Sequence, residues 1–382
     1  MKKSVRTGVS LLVASPWLLL PIVAHADDAS EGLKLPSMVA DASQAFPADA
    51  PAGAEQEVGN YEICAQYRAD IDADLGDVLR AGCEPTVAQM SALMDNPIGN
   101  VAMMFNQVDA YRMEEPTTNI DEDQFNYMML FQFPKKLNEN WNLINRIVLN
   151  VPSVPLDQGD IDDFVPPPDF SGDFDYGTGP GDNPIPPANL PLPVGLFDGR
   201  TTGFGDTYYV GLFAPNEPTI LGNGAKFLWG LGFDLGFDTA SEDVLGGGKY
   251  SAGPSALAVY MGETFKGGAL VQHYWDFAGD SDRNDINMSN IQYLYYWGLD
   301  DVTSIGAGPN VLINWDQSSN DRYTLPVGFG INRTFQFGKV PVRIGVEYFK
   351  TVVSPDNVVA SDWSVRFYII PAVPSALFSW MQ

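Results

Sequence analysis

Between Phe227 and Asp238 the chain reads FLWGLGFDLGFD, and no other stretch constrains the fold as tightly. Phe227, Trp229, Leu231, Phe233, Leu235 and Phe237 take every second position. Leu228, Gly230, Gly232, Asp234, Gly236 and Asp238 fill the alternate row. Period two means a strand with two unlike faces. A soluble sandwich would bury the apolar row, but here that row ends in aromatics, which sit well at lipid headgroups. The opposite row carries carboxylates with no basic residue nearby in sequence. The pattern predicts lipid outside and water inside, with Asp234 and Asp238 pointing into a lumen. A register slip of one would push both acids into hydrocarbon. The glycines of the polar row are expected to relieve crowding and widen the bore.

The alternation recurs. Ile305, Ala307, Val311, Ile313 and Trp315 oppose Gly306, Gly308, Asn310, Asn314 and Asp316. Val342, Ile344, Val346 and Tyr348 oppose Arg343, Gly345 and Glu347, and Trp363, Val365, Phe367 and Ile369 oppose Ser364, Arg366 and Tyr368. Twelve strands are expected, at 101–113, 124–137, 141–156, 203–215, 225–240, 248–262, 265–280, 288–300, 303–317, 322–338, 340–355 and 362–373. Many exceed the ordinary globular strand of about five or six residues and suit a tilted crossing of a bilayer. Links after even-numbered strands are mostly tight, as at Asn138-Glu139-Asn140 and Gly338-Lys339, and those after odd-numbered strands are longer. That asymmetry characterises outer-membrane barrels, with the tight turns in the periplasm. The fold class is therefore all-β, an antiparallel transmembrane barrel of about twelve strands with both chain ends periplasmic.

The first residues add a compartment. Lys2, Lys3 and Arg6 precede the apolar run LLVASPWLLLPIVA, which ends in Ala24-His25-Ala26. This is the order of a secretory signal peptide, so 1–26 is expected to be removed. No later run reaches the roughly eighteen apolar residues of a helical membrane span. The net charge of −27 then becomes about −30, which repels phosphates and excludes nucleic acid as a partner. Cys64 and Cys83 are the only cysteines, and in an exported chain they are expected to form a disulfide. Residues 27–97 read as a periplasmic linker with a small helical segment, and 98–382 as the barrel. Ile63, Tyr67, Ile71, Leu75 and Leu79 form a helical stripe that Gly82 ends, and Pro85 opens a second short helix. The disulfide needs the first helix to be short, or broken near Gly76.

Six segments carry a family resemblance: NPIGNVAMMFNQ (96–107), WNLINRIVLNVPSVPL (141–156), GFGDTYYVGLFAP (203–215), GGKYSAGPSALAV (247–259), GALVQHYWDFAGDSDRNDIN (268–287) and YTLPVGFGINRTFQFGKVPV (323–342). They resemble a family of proteobacterial outer-membrane barrels often labelled, misleadingly, "neuromedin U", related to the barrel family named for meta-pathway phenol degradation. The resemblance implies a barrel and, in some members, uptake of hydrophobic or aromatic compounds. It carries over no catalytic or binding residue. Two features depart from the family pattern: the long Asp- and Pro-rich loop at 157–202, and the end FSWMQ, which leaves 371–382 open as strand or tail.

Candidate chemistry is sparse. His273 is the only histidine past the signal peptide, and it has no serine two residues on. A Ser-His hydrolase of the outer-membrane phospholipase type would need it as base; its place beside Val271 and Trp275 reads instead as structural or interfacial. Asp280, Asp282, Asn284 and Asp285 hint at calcium, but Asp285 and Ile291 stand where an EF-hand needs Gly and Glu. A surface cation site beside lipopolysaccharide is the alternative. The acidic loop at 157–202 reads as a solvated segment or as a lid over the mouth. Lumen candidates are Arg146, Asp234, Asp238, Asp276, Gln292, Asn310, Asn314, Arg343, Glu347 and Arg366. Such groups can set a pore's field or brace its wall. No motif implies a cofactor, a metal or an enzyme. The expected partners are outer-membrane lipid, lipopolysaccharide and a small solute. The expected function is a passive channel or transporter for small hydrophobic or aromatic solutes, with a structural or surface-interaction barrel of occluded lumen as the alternative.

Overall fold

The computed structural model describes residues 54–71, 73, 75–96, 101–115, 120–159, 199–281, 283–338, 340–356 and 360–374. The expected signal peptide, the linker, most of the loop at 157–202, Asp282 and residues 375–382 lie outside them.

The wall is one antiparallel sheet built from β1 (Val101–Glu115), β2 (Ile120–Lys136), β3 (Trp141–Val154), β4 (Thr201–Thr202), β5 (Thr207–Pro215), β6 (Thr219–Ile220), β7 (Lys226–Phe237), β8 (Lys249–Met261), β9 (Phe265–Gly279), β10 (Asn287–Gly298), β11 (Thr303–Ala307), β12 (Asn310–Asn314), β13 (Tyr323–Phe337), β14 (Val340–Val353) and β15 (Ala360–Pro374). Neighbours in sequence pair around the ring, β1 pairs β15, and β9 pairs β10, so the sheet closes on itself. With β4 and β6 as two-residue additions, and β11 and β12 as two halves of one strand, the barrel has twelve strands. Closure leaves no edge unpaired, which a strand in hydrocarbon requires.

The faces follow the sequence parity. On β7, Leu231, Phe233 and Phe237 are exposed while Leu228 and Asp234 are buried. On β14, Val346 and Tyr348 are exposed, and Arg343, Glu347 and Phe349 are buried. Leu231, Val271, Phe329, Ile331, Val346, Phe367 and Ile369 are all more than a third exposed, a band that water would not tolerate. Trp275, Trp297, Trp315 and Tyr348 are also exposed on this outer face, as girdle aromatics are.

Glycine in the β7 polar row relieves crowding, as expected, and does so between strands. A Cβ at Gly232 would come 1.8 Å from the carbonyl oxygen of Gly211, so this glycine permits close backbone approach of β5 and β7.

Among the described residues, three short helices precede the barrel: α1 (Ala54–Ala69), α2 (Leu75–Arg80) and α3 (Val87–Met94). α1 and α2 form one compact unit, and α3 belongs to the unit of the barrel. The break between α1 and α2 falls just after Ala69, earlier than Gly76. It lets Cys64 and Cys83 form the expected disulfide, with Cα atoms 5.4 Å apart.

Candidate functional site: the lumen

At the short-turn end, α3 packs against lumen-facing side chains. Met90, Ser91 and Met94 are buried, and Met94 clusters with Met103, Tyr368 and Ile370. Arg343 Nη2 donates to the Ser91 carbonyl oxygen at 3.0 Å and to Ser91 Oγ at 3.1 Å, and Thr334 Oγ1 lies 3.1 Å from the same hydroxyl. Asp95, just past the helix, pairs with Arg343 at 2.6 Å and also with Lys266. Lys266 begins β9 and Arg343 begins β14, and β10, β11–β12 and β13 lie between them in the ring. One carboxylate therefore ties α3 to two separate parts of the wall.

Further along the barrel, β14, β15 and β1 build a closed polar network. Arg366 Nε donates to Asp109 Oδ1 at 2.8 Å, and Gln107 Nε2 donates to Asp109 Oδ2 at 2.8 Å. Glu347 Oε1 accepts from Tyr296 Oη at 2.6 Å and from Tyr368 Oη at 3.2 Å. The network also grips a backbone. Gly308 N donates to Glu347 Oε2 at 3.3 Å, and Arg366 Nη1 donates to the Gly308 carbonyl at 2.9 Å.

That grip explains why the strand expected at 303–317 is split. Gly306 has φ 150°, and a Cβ there would meet the Tyr295 carbonyl oxygen at 1.9 Å, so only glycine fits. Pairing of β11 with β13 stops at Gly306↔Gly330 and resumes, for β12, at Leu312↔Thr324. Between those rungs the chain turns inward, and Ala307, expected on the lipid face, is fully buried. The wall is unladdered there. Two tyrosines of β10 reach across: Tyr293 Oη donates to the Pro326 carbonyl and Tyr295 Oη to the Gly328 carbonyl, each at 2.6 Å. They replace the absent ladder bonds, as a membrane requires.

The wall from β3 to β9 is different. Ile144, Val210, Leu212, Leu228, Leu257 and Leu270 form an apolar cluster in the lumen row. Beside it lie Arg146 and Asp234. Asp234 is fully buried, and its Oδ1 accepts from Gln272 Nε2 at 3.1 Å.

The other candidates are scattered. Asp238 lies past the end of β7, exposed and outside the lumen wall. Asp276 clamps a loop, accepting from Ile286 N at 2.8 Å and facing Lys249 at 3.5 Å. Gln292 pairs in register with Asn310, whose Nδ2 donates to Asn290 Oδ1 at 2.9 Å, and Asn314 pairs with Met288. In the acidic loop at 280–285, weighed as an alternative surface cation site, Lys249 pairs with Asp285, and Arg283 donates to the Asp243 carbonyl at 2.9 Å. Basic groups thus stand among these acids, and burial lowers the pKa of the Arg283 guanidinium. No group of acids, histidines and cysteines among the described residues could hold a metal ion. Nearby, the Asp206 carboxylate gathers the loop amides of Thr239, Ala240 and Gly247; burial raises its pKa and these donors oppose the rise.

Sequence reading missed a contact on the outer face. His273 Nδ1 lies 2.7 Å from Ser289 Oγ, which also accepts from Trp315 Nε1 at 2.9 Å. The strand pairing Ser289↔His273 makes this contact, so no linear motif could reveal it. Asp109, also missed, stands in the polar row of β1 and was legible by parity.

No family model matches the chain, and no curated protein matches it. Solved structures do. The COG4313 outer membrane channel from Pseudomonas putida F1 aligns over 72% of this chain and 96% of that one, with a TM-score of 0.48 and 14% identity. Outer membrane phospholipase A from Escherichia coli aligns over 71% and 90%, with a TM-score of 0.37 and 9% identity. A Pseudomonas aeruginosa FadL homologue aligns over 73% and 76%, with a TM-score of 0.27 and 11% identity. At such identities the likeness concerns barrel architecture and says nothing of solute or chemistry.

Proposed function

We propose that this chain is an outer-membrane channel for small, largely apolar solutes. The short turns and α3 face the periplasm, and lipid with lipopolysaccharide surrounds the band. The observation that carries this reading is the apolar lumen patch of Ile144, Leu212, Leu228, Leu257 and Leu270. Barrels that pass hydrophilic solutes line their interior with polar groups; this row instead offers a greasy track. α3 stands across the short-turn end of that track. The unladdered wall between β11–β12 and β13, latched by Tyr293 and Tyr295, supplies a sideways route to the bilayer.

Uptake into proteoliposomes tests the proposal. Toluene entry should exceed that into liposomes holding a barrel of unrelated lumen, while glucose-driven swelling stays small. Equal rates for toluene with and without the protein would overturn it, and would favour the occluded structural barrel. The Ser289–His273 contact supports a second reading, an outward-facing acyl hydrolase. That reading requires alkyl fluorophosphonate to label Ser289, and an unlabelled folded barrel would end it.

A further inference from the structure

Besides Ser255 Oγ on β8, four side chains on one side of the lumen hold buried polar atoms that find no hydrogen-bond partner among the described residues, although Arg146 as a whole is only half-buried. They are Asn126 on β2, with both Nδ2 and Oδ1 unpartnered, Arg146 Nε and Asn150 Oδ1 on β3, and Asp234 Oδ2 on β7. Asn126 and Asp234 are fully buried and Asn150 is 2% exposed. Buried polar atoms are nearly always paired, and each orphan costs about 1–3 kcal/mol. All four residues share the lumen parity of their strands. Met128, Leu130 and Val148 form an apolar cluster on the same two strands, with Tyr208 packed against it. Tyr208 also meets Tyr274 edge-on, with ring centroids 5.7 Å apart, spanning from β5 to β9.

The orphaned atoms include donors and acceptors together. Arg146 Nε–H and Asn126 Nδ2–H₂ can only donate, and Asp234 Oδ2 and Asn150 Oδ1 can only accept. Arg146 and Asp234 stand on one rung of the wall, through Val210, and carry opposite charges, so a charged guest would be left buried without a counter-charge of its own.

We propose that this strip is a solute-binding subsite for an uncharged amphiphile whose head both donates and accepts a hydrogen bond, an alcohol or a primary amide, with its tail on Met128, Leu130 and Val148. The proposal rests on the channel reading and names the solute class for it. At one end of the strip a hydroxyl donates to Asp234 Oδ2 and accepts from Arg146 Nε, and at the other it donates to Asn150 Oδ1 and accepts from Asn126 Nδ2. A bare hydrocarbon passes but leaves those atoms unpaired, so it is held less tightly.

Calorimetry on the full chain in nanodiscs tests this, with 1-hexanol, hexanamide, hexane, hexanoate and hexylamine as probes. Empty nanodiscs correct for partitioning. Hexanol and hexanamide should bind at least tenfold more tightly than the other three. That preference should fall several-fold in the charge-balanced double variant Arg146→Met with Asp234→Leu, and less in the milder Asn150→Ala variant. Equal binding of all five probes overturns the proposal. So does an unchanged preference in a folded double variant, or a structure in hexanol whose strip holds water alone. Toluene uptake separates the two readings: intact uptake with no head-group preference removes only the subsite, whereas absent uptake removes the channel.

Discussion

The two sides of the lumen spend their buried polar groups differently. Along β14, β15 and β1, every charge of the Asp109–Arg366–Glu347 set is met by protein, and the set closes around the Gly308 peptide. Along β2, β3 and β7, Asn126, Arg146, Asn150 and Asp234 keep unpartnered atoms beside apolar neighbours. The first arrangement holds a backbone detour in place. The second is built to receive something. Burial and charge alone do not tell brace from binding site; the count of satisfied atoms does.

Removing a brace should therefore cost far more than removing a receiver. Arg366→Met leaves Asp109 and Glu347 buried without their cation, and breaking such a pair costs about 3–5 kcal/mol. Urea unfolding in detergent should show a loss of that size for Arg366→Met and a change below about 1 kcal/mol for the charge-balanced double variant Arg146→Met with Asp234→Leu. Similar losses in both would erase the distinction.

The next effect concerns α3. Asp95→Ala removes the bonds to Lys266 and Arg343, and hydrogen bonds to charged groups contribute about 1.5–3 kcal/mol. A shift of that size moves the open population by about tenfold or more. Planar-bilayer recordings should show longer openings for Asp95→Ala, and an unchanged trace would mean that α3 does not control the bore.

A smaller effect is expected at the wall. Tyr293→Phe combined with Tyr295→Phe removes the bonds to the Pro326 and Gly328 carbonyls and the one from Gly328 N to Tyr295 Oη, neutral bonds of about 0.5–1.5 kcal/mol each. Toluene uptake should rise several-fold with glucose uptake unchanged. A rise in both would place the change in the bore and not in the wall.

The smallest effect lies at the turn after β10. Asp300 accepts from Val302 N at 2.9 Å and Thr303 N at 2.7 Å, and these backbone bonds hold its pKa below the ordinary carboxylate value. A depressed folded-state pKa stabilises the turn above the unfolded value, and that support is lost as pH falls through the folded one. Amide exchange at Val302 and Thr303, corrected for its intrinsic pH dependence, should lose protection only in that acid window. Asp300→Asn should lose the pH dependence.

Much of this was legible along the chain. The rows of Phe227–Phe237, Val342–Tyr348 and Trp363–Ile369 placed each side chain on the correct face, because a strand has only two faces and the bilayer enforces which is which. The same parity put Arg146, Asp234, Glu347 and Arg366 in the lumen, and the succession of alternating segments suggested twelve strands. Parity also has a blind spot at strand ends. It assigned Asp238 to the lumen although β7 stops at Phe237, and it could not see that Gly306 and Gly308 bend Ala307 out of the lipid row.

Local periodicity thus determined the barrel, its outer face and its wet interior, since those depend on backbone geometry and solvent alone. Only the closed ring decided which polar groups found partners. Arg366 meets Asp109 and Asp95 meets Lys266 across large gaps in sequence, and hydrogen-bond satisfaction is a property of distance in space. That is why the sequence named the lumen residues, and the tertiary structure separated the ones that brace from the ones left waiting for a guest.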